Sequence, residues 1–269
     1  MKLAFSNIAW DKEWDEEVLG LLQKNGFEGL EIAPTRLFPE EPYTKLKEVK
    51  EYAARLYENY GLRIVSMQSI WFGRKENLFA DVKEQKQLLD YTKQAIDFAV
   101  NAGCGNLVFG CPYHRKMGER GSAKQLIPFY NEINDYCKDT EVYFAIEPVA
   151  AVYNTDYLNT TAETLRCAKE LDLPHIAVNL DLGTLLTNGE KITLIDNNVD
   201  KISHVHISEP MLAPVVYHKE HDDLYSILTD AAYDRYVSVE MKNGSTKDEL
   251  LGIMEYMKGW RGKWYVMRI

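Results

Sequence analysis

Cysteine is scarce in this sequence: Cys104, Cys111, Cys137 and Cys167 are the only four in 269 residues, and none stands in C-x-x-C spacing. A disulfide scaffold is thereby excluded, and a reducing compartment is the expectation. Long apolar runs are missing too. No stretch approaches the ~18 apolar residues of a membrane span, and the opening MKLAFSNIAWDKEWDEE is too polar for a secretory leader. The expected location is the cytoplasm, with no membrane partner. Positive charge is in deficit, 31 basic residues against 41 acidic, and a formal charge of −10 repels a phosphate backbone. Nucleic acid is not an expected partner.

What is present reads as one globular unit. Hydrophobic residues make up 46% and charged residues 27%, too apolar for disorder. Short β-rich runs alternate with longer helical patterns. Strand starts fall near 3, 29, 63, 106, 141, 176, 202 and 236, a mean repeat of about 33 residues. Helices are expected over Tyr43–Tyr60, Lys83–Ala102, Ser122–Asp139, Thr161–Leu171, Ile192–Asn197 and His221–Ala231, with an apolar stripe of Trp14, Val18, Leu21 and Leu22 marking an earlier one. Eight such β–α units predict an α/β fold, a (β/α)8 TIM barrel in a single domain spanning 1–269.

Four consecutive strands end in oxygen or imidazole donors: FAIEP with Glu147, AVNLDLG with Asp181, KISHVHISEP with His206 and VSVEMK with Glu240. One such strand end is ordinary capping. Four in succession, spaced 34, 25 and 34 residues apart, bring one donor per β–α unit to a single point at the C-terminal mouth of the barrel. Three carboxylates converging there repel one another unless a cation sits among them. The hard donor set suits Mn2+, Mg2+ or Co2+ better than a thiolate zinc site; Mn2+ is expected first, with Zn2+ a further alternative.

With these motifs the chain resembles, over essentially its whole length, the xylose-isomerase-like sugar phosphate isomerase/epimerase family, through IEP, NLDLG, HVHISEP and VSVEM. The resemblance implies a divalent metal held by Glu147, Asp181, His206 and Glu240, with Glu147 and Glu240 doubling as acid and base. It also implies a small-molecule carbohydrate substrate. The family's chemistry is proton abstraction beside a carbonyl through a metal-stabilised enediolate, as isomerase or epimerase. Dehydration of a keto-polyol on the same site and sugar binding without turnover are the alternatives. A repair endonuclease of the same superfamily needs more histidines than the six here.

The departures from the family are as informative. Where its ketose 3-epimerases carry a substrate-binding His, Glu and Arg, this chain has Thr184, Tyr153 and Leu212. The grip on the substrate is therefore expected from Gln68, Trp71, His204, His218, His221 and Lys242, with Trp71 as an apolar wall and His204 either touching substrate or supporting His206. Together with the basic loop Tyr113–Gly121, two bases among these predict an acidic or modified sugar, or a keto-polyol, in preference to free fructose or tagatose. The tail GWRGKWYVMRI carries Trp260, Trp264, Tyr265, Val266, Met267 and Ile269, apolar enough to pack on its own barrel or on a second subunit, and a homo-oligomer follows from the resemblance.

Overall fold

The computed structural model describes residues 1–119 and 121–262. Its strands are β1 (Lys2–Ser6), β2 (Gly29–Ile32), β3 (Arg63–Met67), β4 (Asn106–Phe109), β5 (Tyr143–Ile146), β6 (Ile176–Asp181), β7 (Ile202–Ser208) and β8 (Tyr236–Glu240). All pair in parallel and in chain order, and β8 returns to β1 with Val237 opposite Leu3, closing the barrel. Closure removes the unpaired edge that an open sheet would expose. Each strand begins within two residues of the position read from the sequence.

The helices are α1 (Asp15–Lys24), α2 (Pro34–Leu37), α3 (Leu46–Tyr60), α4 (Val82–Ala102), α5 (Ile127–Cys137), α6 (Thr161–Leu171), α7 (Leu182–Asn188), α8 (Lys219–Asp230) and α9 (Lys247–Gly262). Among the described residues no helix is long and apolar enough to cross a membrane. Large side chains pack between strands and helices: Trp71 after β3, Phe109 of β4 and Phe144 of β5 form a chain of ring contacts at 4.8 and 5.5 Å, and Phe129 of α5 closes on it. Inside the barrel the filling is partly polar. Ser203 donates to Asn106 Oδ1 at 2.7 Å, and the Asn106 amide donates to Ser66 at 3.1 Å, so these three buried side chains satisfy one another.

Three helices differ from the sequence reading for local reasons. After β6 the α-helix is α7, beginning at once at Leu182, while Ile192–Ile195 forms only a 3-10 turn. Asp181 explains the early start: its carboxylate accepts the Thr184 N–H at 2.6 Å and so caps the helix that follows. Upstream of α5, Ala123–Leu126 is a 3-10 turn, and the helix proper starts at Ile127 with Pro128 in its first turn. Similarly, Pro42–Thr44 is a 3-10 turn ahead of α3, with Tyr43 buried and its hydroxyl donating to Ile70 O at 2.6 Å.

Candidate metal centre

Each donor is fixed by its own strand end. The Glu147 N–H, one residue beyond β5, donates to Phe109 O at 3.1 Å, continuing the β4–β5 ladder. Asp181 closes β6 opposite His206 of β7, and Ser208 lies opposite Glu240 of β8. The Ser208 hydroxyl donates to Asp181 Oδ2 at 2.5 Å and accepts the Gly183 N–H at 2.8 Å, so both Asp181 oxygens are held. Gly110 is required beside Glu147, because a Cβ there would stand 1.9 Å from Glu147 Oε2.

These four side chains converge. One ligand-capable atom from each of Glu147, Asp181, His206 and Glu240 lies within 4.8 Å of the others. His206 Nδ1 is 3.1 Å from Glu240 Oε2, 3.5 Å from Glu147 Oε1 and 3.9 Å from Asp181 Oδ2. The other ring nitrogen, Nε2, meets Glu31 Oε2 at 2.9 Å. Glu31 is wholly buried in the barrel, and His204 Nε2 lies 3.2 Å from the same oxygen. Gln68 adds to this inner layer, its amide donating to Ser6 at 2.5 Å and standing 3.5 Å from Glu31 Oε1.

The electrostatics follow from burial and proximity. Burial pushes the Glu147 carboxyl up to about 8, with Glu240 and Asp181 adding repulsion against the opposing pull of His206. Glu240 is raised by burial as well. For His206, burial favours the neutral ring but is outweighed by Glu31 and Glu240, which hold its pKa well above the ordinary value. Burial of Glu31 is in turn outweighed by the charge of His206 and the nearness of both imidazoles, and its carboxyl stays well below the usual range. Two carboxylates whose burial opposes ionisation, Glu147 and Glu240, gathered with Asp181 about one imidazole nitrogen, make a donor set that fits a hard divalent cation. Glu31 then takes the place of the carboxylate that fixes a metal-binding histidine through its far nitrogen.

Residues 19–260 match the family described as the xylose isomerase-like TIM barrel. The chain belongs to this family. No curated protein sequence matches it. Among solved structures, it is similar to a D-psicose 3-epimerase from Clostridium cellulolyticum, with 16% identity, 98% of this chain and 99% of that one covered, and a TM-score of 0.77. It is also similar to a 3-keto-D-glucoside 4-epimerase from E. coli, at 19% identity, 97% and 99% coverage and a TM-score of 0.72. A probable 3-DHS dehydratase from Bacillus anthracis resembles it at 19% identity, 96% and 98% coverage and a TM-score of 0.65. At such identities these likenesses speak to the fold.

Within this xylose isomerase-like barrel a cavity of about 460 Å3 opens above the donors. Glu147, Asp181 and Glu240 form its floor, and Gln68, Thr184, Tyr153 and Leu212 are part of its lining. All three positions where the sequence departs from the ketose epimerases thus face the cavity. Of the other residues expected to grip substrate, none lines it. Trp71 is wholly buried beneath, its indole N–H donating to Thr92 at 2.9 Å, and the wall is made by its exposed neighbour Phe72. His204 is buried against Glu31 and does not line the cavity. His218 pairs with Glu209 at 2.8 Å, and buried His221 meets the Tyr256 hydroxyl at 2.6 Å, a contact between α8 and α9. Lys242 is exposed, its N–H donating to Leu212 O at 2.9 Å.

The basic loop is also spent on structure. Arg115 is wholly buried and donates to the carbonyls of Glu147, Phe109, Tyr157 and Leu158, and Lys116 donates to Asn154 at 3.1 Å. Arg120 and the tail from residue 263, with Trp264, Tyr265, Val266, Met267 and Ile269, lie outside the described residues. Trp260, the one of the tail's apolar residues that is described, lies in α9, is buried and donates to His221 O at 2.8 Å. Sequence reasoning gives Glu31 no role, although a carboxylate inside the four-residue strand Gly29–Ile32 is the signal that could have found it.

Proposed function

We propose that this protein is a divalent-metal-dependent sugar epimerase or isomerase that moves a proton on the carbon beside a carbonyl. The observation that carries the reading is the convergence of Glu147, Asp181, His206 and Glu240 within 4.8 Å on the floor of a cavity. Mn2+ is the ion we assign first, on the hardness of three carboxylates and one imidazole. Held by these four side chains, it supplies a positive centre that polarises a carbonyl and offsets charge developing on oxygen.

The residues supply the proton chemistry. Glu147 and Glu240 stand at the two ends of the β5–β8 arc, flanking Asp181 and His206, and so approach a bound substrate from two sides. One carboxylate takes the proton from carbon and the other returns one. Both are carboxylates on the cavity floor, the side-chain type that can take a proton from carbon and give one back. Asp181, held through both oxygens, and His206, held by Glu31, keep the floor rigid while the proton moves. The Gln68 amide is within reach of a substrate hydroxyl at the cavity edge.

Solvent deuterium tests the reading. Manganese-loaded protein incubated in heavy water with a panel of ketoses and keto-glycosides is expected to place deuterium on the carbon beside the carbonyl. Chelator should abolish the uptake and Mn2+ or Co2+ should restore it. Uptake undiminished in metal-free protein would sink the assignment, and release of water with formation of an unsaturated product would replace it with dehydration.

A further inference from the structure

The outer part of the cavity is chemically unlike its floor. Phe72, Tyr113, Tyr153, Leu212, Pro112 and Val149 all line it. Phe72 and Tyr113 are 68% and 65% exposed at its mouth, an unusual cost for large apolar side chains unless something covers them. Val152, Met211 and Val216 are exposed on loops following the same strand ends. This wall is preformed: the Tyr153 hydroxyl accepts the Met211 N–H at 2.9 Å, and Leu212 O accepts the Lys242 N–H at 2.9 Å. Both Met211 and Leu212 have positive φ, 61° and 53°, a conformation kept by these contacts.

The charge balance points the same way. The lining holds three carboxylates, and a divalent ion offsets two of them, leaving about one negative charge. The cationic side chain among the described lining residues, Arg74, is engaged by Glu76 through Nε at 3.1 Å and through Nη2, and its guanidinium lies 4.8 Å from the centre of the Tyr91 ring. His114 holds Glu76 O at 2.6 Å through Nδ1. A phosphate or carboxylate on the substrate would meet a negative floor with no uncommitted cation opposite it among these residues.

We infer that the cavity takes an uncharged sugar carrying a flat apolar substituent, an aromatic aglycone, with the sugar over the carboxylate floor and the substituent against Phe72, Tyr113, Tyr153 and Leu212. This rests on the sugar epimerase or isomerase reading of the floor, and among the substrates expected from the sequence it selects a modified sugar over an acidic sugar or a keto-polyol. Ring-on-ring contact with Phe72 and Tyr153, together with the area it covers, is worth roughly tenfold or more in affinity.

Calorimetry on the manganese-loaded protein tests it with phenyl and methyl pyranosides of glucose, galactose and allose, the parent sugars, and their 6-phosphates. At least one phenyl glycoside is expected to bind about tenfold more tightly than its methyl counterpart, and no 6-phosphate more tightly than its parent sugar. Phe72→Ala, at an exposed position, should remove most of the phenyl advantage and leave manganese affinity unchanged. Equal phenyl and methyl affinities, no binding by any phenyl glycoside, or a preferred phosphate would overturn the inference. Manganese binding and deuterium uptake on the same preparation separate the two levels: if both hold while the phenyl advantage is absent, only the inference fails.

Discussion

The two halves of the barrel carry different parts of one site. From β5 to β8, each strand ends in a donor at the mouth: Glu147, Asp181, His206 and Glu240. From β1 to β4, the polar residues sit lower and support that set: Ser6 and Gln68 pack about Glu31, and Glu31 holds His206 across the barrel. Above them the loops after β3 and β4 add Phe72 and Tyr113 to the cavity wall. One half presents the converging carboxylates and imidazole, while the other holds His206 and adds the aromatic part of the cavity wall. The donors and Glu31 are all largely buried, but three donor carboxylates share the single imidazole of His206, whereas Glu31 alone has two imidazoles within 3.2 Å.

The sharpest test of this division falls on the donor half. Glu147→Gln and Glu240→Gln keep the shape but remove the base, and each is expected to lower kcat by ~10²–10⁴ with the fold intact by circular dichroism. Retention of most of the activity in either variant would break the two-carboxylate scheme. Next comes Gly110→Ala, which lies in the supporting half but acts on the donors. Its Cβ would fall 1.9 Å from Glu147 Oε2, so the carboxylate must move. A loss of at least about tenfold in kcat and ~1–3 kcal/mol in stability is expected from the displacement. Wild-type kinetics in that variant would mean that Glu147 works from another rotamer.

Glu31→Gln isolates the contribution of the other half. The amide is nearly isosteric but cannot hold the His206 ring by charge, and losing such a partner typically weakens metal binding by about 10–100-fold. Manganese titration followed by electron paramagnetic resonance measures this without turnover. Unchanged affinity would show that His206 needs no support from β2.

The eight strands and the four donors were legible in the sequence because both obey local rules: period-2 apolar runs, and polar residues where a strand stops. Substrate contacts were harder, because a side chain's direction depends on the loop that carries it. Trp71 and Phe72 are neighbours, yet the first faces α4 and the second the cavity, a difference set by the turn they share with Ser69, whose φ is 53°. The loop Tyr113–Gly121 counts toward an acidic substrate by composition, but its Arg115 closes four backbone carbonyls. Glu31 was visible as an acid in an apolar strand, but its partner lies 175 residues away and only barrel closure brings the two together.

Acidity distinguishes the halves at a finer level. In metal-free protein Glu147 is raised from 4.5 to about 8, and Glu240 and His206 are raised with it. These groups bind protons more tightly folded than unfolded, so their contribution to stability is complete below their unfolded values and is lost as pH rises through the folded ones. Glu31 is depressed, and its contribution is lost only as pH falls through its low folded value. Between about pH 5 and pH 8 the metal-free protein should therefore melt at progressively lower temperature. The manganese-loaded protein should not follow it down, because the ion displaces those protons. Parallel melting curves for the two forms across that range would contradict the crowding of charge at the donor end.

The smallest expected effect separates two residues that the sequence ranked together. Gln68 and Lys242 both follow barrel strands and both looked able to hold the far end of a substrate. Gln68 of the β3 side is 5% exposed, lines the cavity and is tied to Ser6, so truncation to Ala removes a polar contact from the cavity edge and loosens the packing around Glu31. Lys242 follows β8 but extends outside the cavity, and the chain uses it through its backbone N–H, which a side-chain truncation leaves in place. Gln68→Ala is expected to raise KM several-fold, in the range of one lost hydrogen bond of about 1 kcal/mol, while Lys242→Ala stays within the ±0.5 kcal/mol typical of surface positions and within about twofold in kcat/KM. A larger KM effect from Lys242→Ala than from Gln68→Ala would place the substrate across the β8 rim instead of against the β3–β4 wall, and the aromatic wall would then lose its role in recognition.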